Sequence, residues 1–154
     1  YRLPAALART RDGRGDAACD ERIVTTITLT DGVLENVRAR GAELETRLRA
    51  IARSHPTAGE LRGRGLLYCL DFVDLATGGP LSAAQPVGTA VQQAARRRGL
   101  LVRASPHNVT LAPPLVLTAA EVTEIADILE ESVAEVTEQI VSGAGIDLDV
   151  AFGL

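Results

Sequence analysis

The stretch from Gly99 to Val122, GLLVRASPHNVTLAPPLVLTAAEV, decides the fold of this chain. Its first apolar run, Leu100–Val102, predicts a short strand, and Pro106–Asn108 has the residue types of a tight turn. Apolar and polar residues alternate over Val109–Leu111, which predicts a return strand with one buried face. The double proline Pro113–Pro114 ends the pairing, because proline has no backbone N–H to donate to a neighbouring strand. The stretch therefore predicts an antiparallel hairpin.

Three helices are predicted around this hairpin. The last one follows it directly, because Thr118 and Glu121 have the spacing of a capping box and apolar residues then recur every three or four positions over 119–141. The same periodicity predicts a first helix over about 31–53 and a second over 86–98. Each helix has an apolar stripe that must pack against another layer.

A strand between the first and second helices completes the pattern. Residues Leu61–Val73, LRGRGLLYCLDFV, predict one long strand in which Gly63 and Gly65 mark a bulge or a close backbone approach. Elements in the order helix, strand, helix, strand, strand, helix predict an α+β fold. This fold is a two-layer sandwich of about three helices on a three- to four-stranded, mostly antiparallel sheet. The helices cover one face of the sheet, so the other face is solvated or docks on another domain.

The chain divides into three parts. Residues 1–30 are predicted to be an irregular N-terminal segment, in which RIVTTITLT over 22–30 is a candidate for an additional strand, since Val, Ile and Thr favour strands. Residues 31–141 are predicted to form the folded domain. Residues 142–154 form a glycine-containing tail.

Composition bounds the class of protein. A length of 154 residues suits one domain, and its core must consist of Leu, Val, Ile and Ala, because aromatic residues make up only 3 % of the chain. A net charge of −4 argues against a general attraction to nucleic acid. The absence of a long apolar run and of a signal-peptide pattern predicts a cytoplasmic protein that does not enter a membrane. Cys19 and Cys69 lie in dissimilar contexts, so a disulfide is not expected.

Arg103 is the strongest candidate for a binding residue. It is predicted to lie at the end of the first strand of the hairpin, beside the turn, and its planar guanidinium can hold a carboxylate through two parallel N–H donors. His107, in the turn, is a second candidate for a substrate contact. The alternatives are an exposed arginine on an edge strand and a turn histidine without a ligand. No metal site is predicted, because two histidines with scattered acids lack ligand spacing.

Four segments in order resemble the C-terminal small domain of the class III (omega) aminotransferases, which are pyridoxal-phosphate enzymes. They are Leu34–Asn36 with its helix, Glu60–Leu66, Ala94–Leu100 and the hairpin with its following helix. The resemblance covers roughly Gly32–Val141. It implies the small-domain fold of fold-type I pyridoxal-phosphate enzymes and amino-group transfer between an amine or amino acid and a 2-oxo acid. It also implies pyridoxal phosphate as cofactor and Arg103 as the group that holds the substrate carboxylate.

The chain contains no lysine, since all 16 basic residues are arginine. Enzymes of this family need a lysine amine to form the internal aldimine, and a guanidinium cannot replace it because it stays protonated. We therefore predict no catalytic and no cofactor-binding residue in this chain itself. Its expected partner is a lysine-bearing aminotransferase large-domain chain, or a second copy of itself. The alternative is a non-catalytic binding or assembly module, or a relic of that domain, in which 22–30 covers surface that would otherwise be exposed.

Overall fold

The computed structural model describes residues 32–82, 85–143 and 146. The strand candidate at 22–30 and most of the predicted tail lie outside the described residues. Seven elements follow one another along the chain: α1 (Val33–Ser54), β1 (Ala58–Arg64), β2 (Leu67–Phe72), α2 (Val87–Arg97), β3 (Arg103–Ser105), β4 (Asn108–Leu111) and α3 (Ala119–Val141).

The architecture is the predicted two-layer α+β sandwich. The four strands form one antiparallel sheet in the order β1-β2-β4-β3. Helix α1 packs on β1 and β2, α2 packs mainly on β3 and β4, and α3 contacts both of these helices. No helix in the described part of the chain is long and apolar enough to cross a bilayer.

The core lies between the helices and one face of the sheet. Leu48 of α1, Val91 of α2 and Leu129 of α3 are fully buried against Leu70 and Val109 of the two central strands. Burial of each such side chain contributes about 1.5–3 kcal/mol. Aliphatic side chains therefore dominate this core, as the composition predicts.

The capping box forms as predicted and sets the start of α3. The Thr118 hydroxyl accepts a hydrogen bond from the Glu121 backbone N–H at 3.3 Å, and the Glu121 carboxylate accepts one from the Thr118 backbone N–H at 2.8 Å. Two of the N–H groups that a helix start leaves without intrahelical partners are satisfied in this way.

The prediction of one strand over Leu61–Val73 is wrong, because the segment forms a hairpin of β1 and β2. The chain reverses at Gly65, whose φ of 63° is a conformation that glycine adopts without strain. The close backbone approach is confirmed at Gly63, where an added Cβ would lie 2.2 Å from the carbonyl oxygen of Leu67. The irregularity in pairing lies earlier, between Ala58 and Leu61.

The first strand of the second hairpin is displaced from its predicted position. Leu100–Val102 is a connector that packs under α2, where Gln92 donates a side-chain hydrogen bond of 2.7 Å to the Val102 carbonyl. Strand β3 begins only at Arg103. Arg103 is therefore the first residue of its strand, at the end that is farther from the turn. The sequence predicted it at the other end of the strand, beside the turn.

Candidate functional site

One face of the sheet points away from the helices. On β2 the fully buried residues alternate with Leu67, Cys69 and Asp71, and on β4 they alternate with Asn108 and Thr110. Successive side chains of a strand point to opposite faces, so these more accessible residues share the side opposite the core. We call this side the open face.

A row of four residues crosses the open face. Arg62 of β1 pairs with Cys69 of β2, Cys69 pairs with Thr110 of β4, and Thr110 pairs with Arg103 of β3. Neighbouring strands lie about 4.8 Å apart, so the two arginines at the ends of the row are roughly 14 Å apart at their Cα atoms. The row thus places a cation at each edge of the sheet and two small polar side chains between them.

Arg62 is neutralised within the open face. Its Nη2 lies 2.7 Å from Oδ1 and 2.6 Å from Oδ2 of Asp71. The hydrogen bond and the charge of Asp71 raise the pKa of Arg62 further above its ordinary value. Arg62 is therefore already occupied by a carboxylate of its own chain.

Arg64 and Arg103 are the cations that remain available. Both are exposed, and neither forms an ion pair with any residue that the structure describes. Arg64 lies beside Leu67 and Thr110 at a groove of about 480 Å³ on the open face. An unpaired guanidinium at such a groove suits a carboxylate or another oxyanion.

The hairpin that carries Arg103 is anchored at three points. The Gly88 N–H at the start of α2 donates to the Pro106 carbonyl at 2.9 Å, and the Phe72 N–H of β2 donates to the His107 carbonyl at 2.8 Å. The bond from Gln92 to Val102 holds the residue just before Arg103. The backbone that presents the exposed Arg103 side chain is thus anchored to α2 and β2.

His107 lies in a different groove from the row formed by Arg62, Cys69, Thr110 and Arg103. It is at the tip of the hairpin and lines a space of about 440 Å³ together with Glu60 and Asp71. Arg103 pairs with Thr110 at the other end of the same hairpin. The structure therefore does not bring together the two residues that the sequence nominates for substrate contact.

The described residues do not fit covalent attachment of pyridoxal phosphate. A Schiff base to this cofactor needs a primary amine on a side chain, and none of the 154 residues is a lysine. No group of His, Cys, Asp and Glu residues in the described part of the chain has the arrangement of a metal site. Carboxylate binding by arginine is the chemistry that this face supports.

Sequence reasoning missed Arg64 and Thr110 as components of the open face. The signal for Thr110 was its alternation with Val109 and Leu111, which places its side chain opposite the core. Arg64 was signalled by its spacing of two from Arg62 within a strand. The pairing of Thr110 with Arg103 needed the strand register, which a single sequence does not provide.

The fold is that of transaminase domains. The PMP-bound form of an aminotransferase from Vibrio fluvialis superposes with a TM-score of 0.67 at 33% sequence identity, covering 73% of this chain and 25% of that one. Acetylornithine aminotransferase from Nostoc sp. is 38% identical over 127 residues, which are 81% of this chain and 28% of the relative. Diaminobutyrate–2-oxoglutarate transaminase from Halomonas elongata is 35% identical over 113 residues, 71% of this chain and 24% of the relative.

The model of the aminotransferase class-III family matches residues 17–133. The chain therefore belongs to the class-III aminotransferase family, as the resemblance indicated. The matched range begins upstream of Gly32, the residue at which the sequence resemblance begins. The chain spans only about a quarter to three tenths of the length of these relatives.

Proposed function

We propose that this chain acts as the small-domain part of a class-III aminotransferase. In this proposal Arg103 binds the carboxylate of a substrate in amino-group transfer between an amine or amino acid and a 2-oxo acid. Pyridoxal phosphate, held by a lysine-bearing polypeptide that lies outside this sequence, would supply the amino-transfer chemistry. The contribution of this chain is to bind and orient the substrate.

The position of Arg103 is the observation that carries this proposal. Its guanidinium is exposed and unpaired among the described residues, its backbone is anchored to α2, and its strand neighbour Thr110 offers a hydroxyl on the same face. A bidentate guanidinium–carboxylate pair gives both affinity and orientation. Orientation is the contribution that a domain without the reacting groups can make.

The first experiment tests whether a lysine-bearing partner exists. The tagged chain is captured from a lysate of its own host, treated with borohydride and analysed by mass spectrometry for phosphopyridoxyl-lysine peptides. Recovery of a second chain that carries this modification supports the proposal. Recovery of the folded chain alone, or only with a second copy of itself, contradicts it.

The second experiment tests the role of Arg103 in the reconstituted assembly. Arg103→Ala is expected to raise KM for carboxylate-bearing substrates by roughly 10–100-fold, because a charge-assisted pair contributes about 1.5–3 kcal/mol. KM for simple amines should change much less. Arg53→Ala removes an exposed arginine from the end of α1 and serves as the matched control. An equal loss with both substrate classes would remove Arg103 from the proposed role.

A non-catalytic assembly module is the second candidate. An open sheet face whose Arg64 and Arg103 have no ion-pair partner among the described residues favours it. For this function we expect a folded chain that self-associates or binds a partner without pyridoxal phosphate. The capture experiment separates the two candidates, because only the first predicts a modified lysine in the captured material.

A further inference from the structure

Strand β1 carries charges of opposite sign toward its two ends on the open face. Glu60 and Arg64 are both exposed, and each is two positions from Arg62, so the three side chains point to the same side of the sheet. Neither Glu60 nor Arg64 forms an ion pair with any residue that the structure describes. Their Cα atoms are about 13 Å apart along the strand.

The surface between these two charges is continuous and neutral. Arg62 and Asp71 form an ion pair of 2.6 Å. Asp71 lines one groove together with Glu60, and Arg62 lines the other groove together with Arg64, so the ion pair lies at the boundary of the two grooves. The hydrogen bond and the charge of Asp71, and to a smaller extent the charge of Glu60, raise the pKa of Arg62. The open face therefore has an anionic end, a neutral centre and a cationic end.

An exposed leucine and an open groove lie at the same two ends of the face. Leu67 is 58% exposed and is the cross-strand partner of Arg64. At the other end, Glu60 borders a groove of about 440 Å³, whose lining includes Val73 and Pro80. The leucine cannot reach this groove within one copy, because the two lie at opposite ends of the face. They can meet only between two copies.

We propose that two copies of this chain associate through their open faces, with β1 of one copy antiparallel to β1 of the other. A two-fold axis that crosses the strands along the Arg62–Cys69 pair exchanges the two ends of the face. It brings Arg64 of each copy opposite Glu60 of the other copy, and Leu67 over the groove beside that glutamate. The interface is isologous, since the same contacts form twice. Stacked sheets lie about 10 Å apart, a distance that an arginine and a glutamate side chain span together.

The symmetry of the charges favours a second copy over a different protein. Opposite charges at similar distances from a neutral centre are what a self-complementary surface requires, whereas a different partner can match any arrangement. Cys69 and Thr110, near the axis, are small enough to allow the approach. Arg103 lies on the edge strand β3 of the same row, and a rotation of about 30° between stacked sheets moves the two β3 strands apart. This inference rests on the second candidate function, the assembly module.

Charge exchange tests this interface by analytical ultracentrifugation of the full chain. Glu60→Arg and Arg64→Glu each place like charges opposite one another twice in the dimer, so we expect the dissociation constant to rise by at least about tenfold. An equimolar mixture of the two variants should dimerise as the unmodified chain does, because each arginine at these positions then faces a glutamate. Arg53→Glu, at the end of α1, is the matched control and should leave the dissociation constant unchanged.

The alkylation rate of Cys69 gives a second measurement. In a Cys19→Ser chain this rate should fall as the protein concentration rises, because the dimer covers the thiol, and Arg64→Glu should remove the dependence. A chain that stays monomeric up to millimolar concentration overturns the proposal. A dimer that the charge variants leave unchanged also overturns this interface but supports the assembly module. Neither result decides whether a lysine-bearing chain is captured, so failure of the dimer is distinguishable from failure of the proposed function.

Discussion

At the scale of single residues, two helical glycines show how closely the helices approach the sheet layer. A Cβ added at Gly41 of α1 would lie 2.4 Å from the carbonyl oxygen of Gly65, and one added at Gly88 of α2 would lie 2.2 Å from the carbonyl oxygen of Ser105. Both neighbours are backbone atoms of the two hairpins. The absence of a side chain at these positions therefore sets the distance between helix and hairpin.

Gly41→Ala tests this close approach, because the sign of the change in the free energy of unfolding depends on it. In an open helix interior the change would stabilise the protein by about 0.5–1 kcal/mol, but here we expect a loss of roughly 1–3 kcal/mol because the backbone must shift. The midpoint of urea unfolding measures the difference. The matched control is Ala42→Gly at the exposed neighbour, which should cost about 1 kcal/mol through helix propensity alone. A stabilised Gly41→Ala would show that α1 can move away from the hairpin freely.

Thr118→Ala removes the cap of α3. We expect the free energy of unfolding to fall by about 1 kcal/mol, because the N–H of Glu121 loses its acceptor. Thr123→Ala, in the exposed part of the same helix, should be neutral or slightly stabilising, since alanine is the better helix former. Equal effects of the two changes in chemical denaturation would contradict the role of the cap.

The capping box also has a predicted pH dependence. The hydrogen bonds from the hydroxyl and then the backbone N–H of Thr118 lower the pKa of the Glu121 carboxyl. A carboxyl with a lowered pKa in the folded state contributes stability above its unfolded pKa, and this contribution is lost as the pH falls through the folded pKa. The difference in stability between the native chain and Thr118→Ala should therefore shrink on acidification.

At the scale of elements, the sequence predicted helices better than strands. Both ends of α3 are confirmed, because a capping box marks the start and an unbroken apolar stripe marks the length. The predicted second helix, 86–98, differs from Val87–Arg97 by one residue at each end. Leu61–Val73 was predicted as one strand because its apolar residues run across the turn at Gly65, and only the tertiary approach of α1 to this turn distinguishes a hairpin from a strand.

Helices α2 and α3 are joined by ion pairs at the end of α2. Arg98 Nη1 lies 2.7 Å from Glu135 Oε2 and Arg98 Nε lies 3.2 Å from Glu131 Oε2, while Arg97 also contacts Glu135. Partial burial by itself would raise the pKa of Glu135. The hydrogen bond from Arg98 and the charges of Arg97 and Arg98 outweigh that effect and lower it. The ionised form of Glu135 is thus favoured in the folded chain.

Glu135→Gln should destabilise the packing of α2 on α3. We expect the free energy of unfolding to fall by about 1 kcal/mol near neutral pH, as for a partly exposed ion pair within a network. Since the folded pKa lies below the unfolded one, the loss should diminish as the pH falls below the ordinary glutamate value of about 4.3. Urea titrations near neutral pH and below that glutamate value measure the free energy of unfolding at each pH. Glu130→Gln, at an exposed position of the same helix, is the control, and a pH-independent effect of Glu135→Gln would rule out the ionic contribution.

At the scale of the whole molecule, the candidate site depends on strand register. Arg103 was identified from its resemblance to a family position and from the chemistry of its guanidinium. Its neighbours on the open face come from three other strands, and their order β1-β2-β4-β3 was not predictable from local patterns. Within the part of the chain that the structure describes, the helices cover one sheet face, as predicted, and the burial pattern of β2 and β4 shows this.

The rate at which Cys69 is alkylated tests whether a partner covers the open face. Its half-buried thiol lies between Arg62 and Thr110 in the row across the open face, and its Sγ is 3.8 Å from Oδ1 of Asp71. In a Cys19→Ser chain we expect iodoacetamide to modify Cys69 in the free protein, and a lysine-bearing partner docked on this face should slow the reaction by at least about tenfold, because alkylation requires solvent access. A thiol introduced by Val141→Cys, in a chain that also carries Cys69→Ser, lies at the far end of α3 and should react at the same rate in both states. Unchanged alkylation of Cys69 in the assembled complex would mean that the partner binds elsewhere, and Arg103 would then lose its route to a substrate held by that partner.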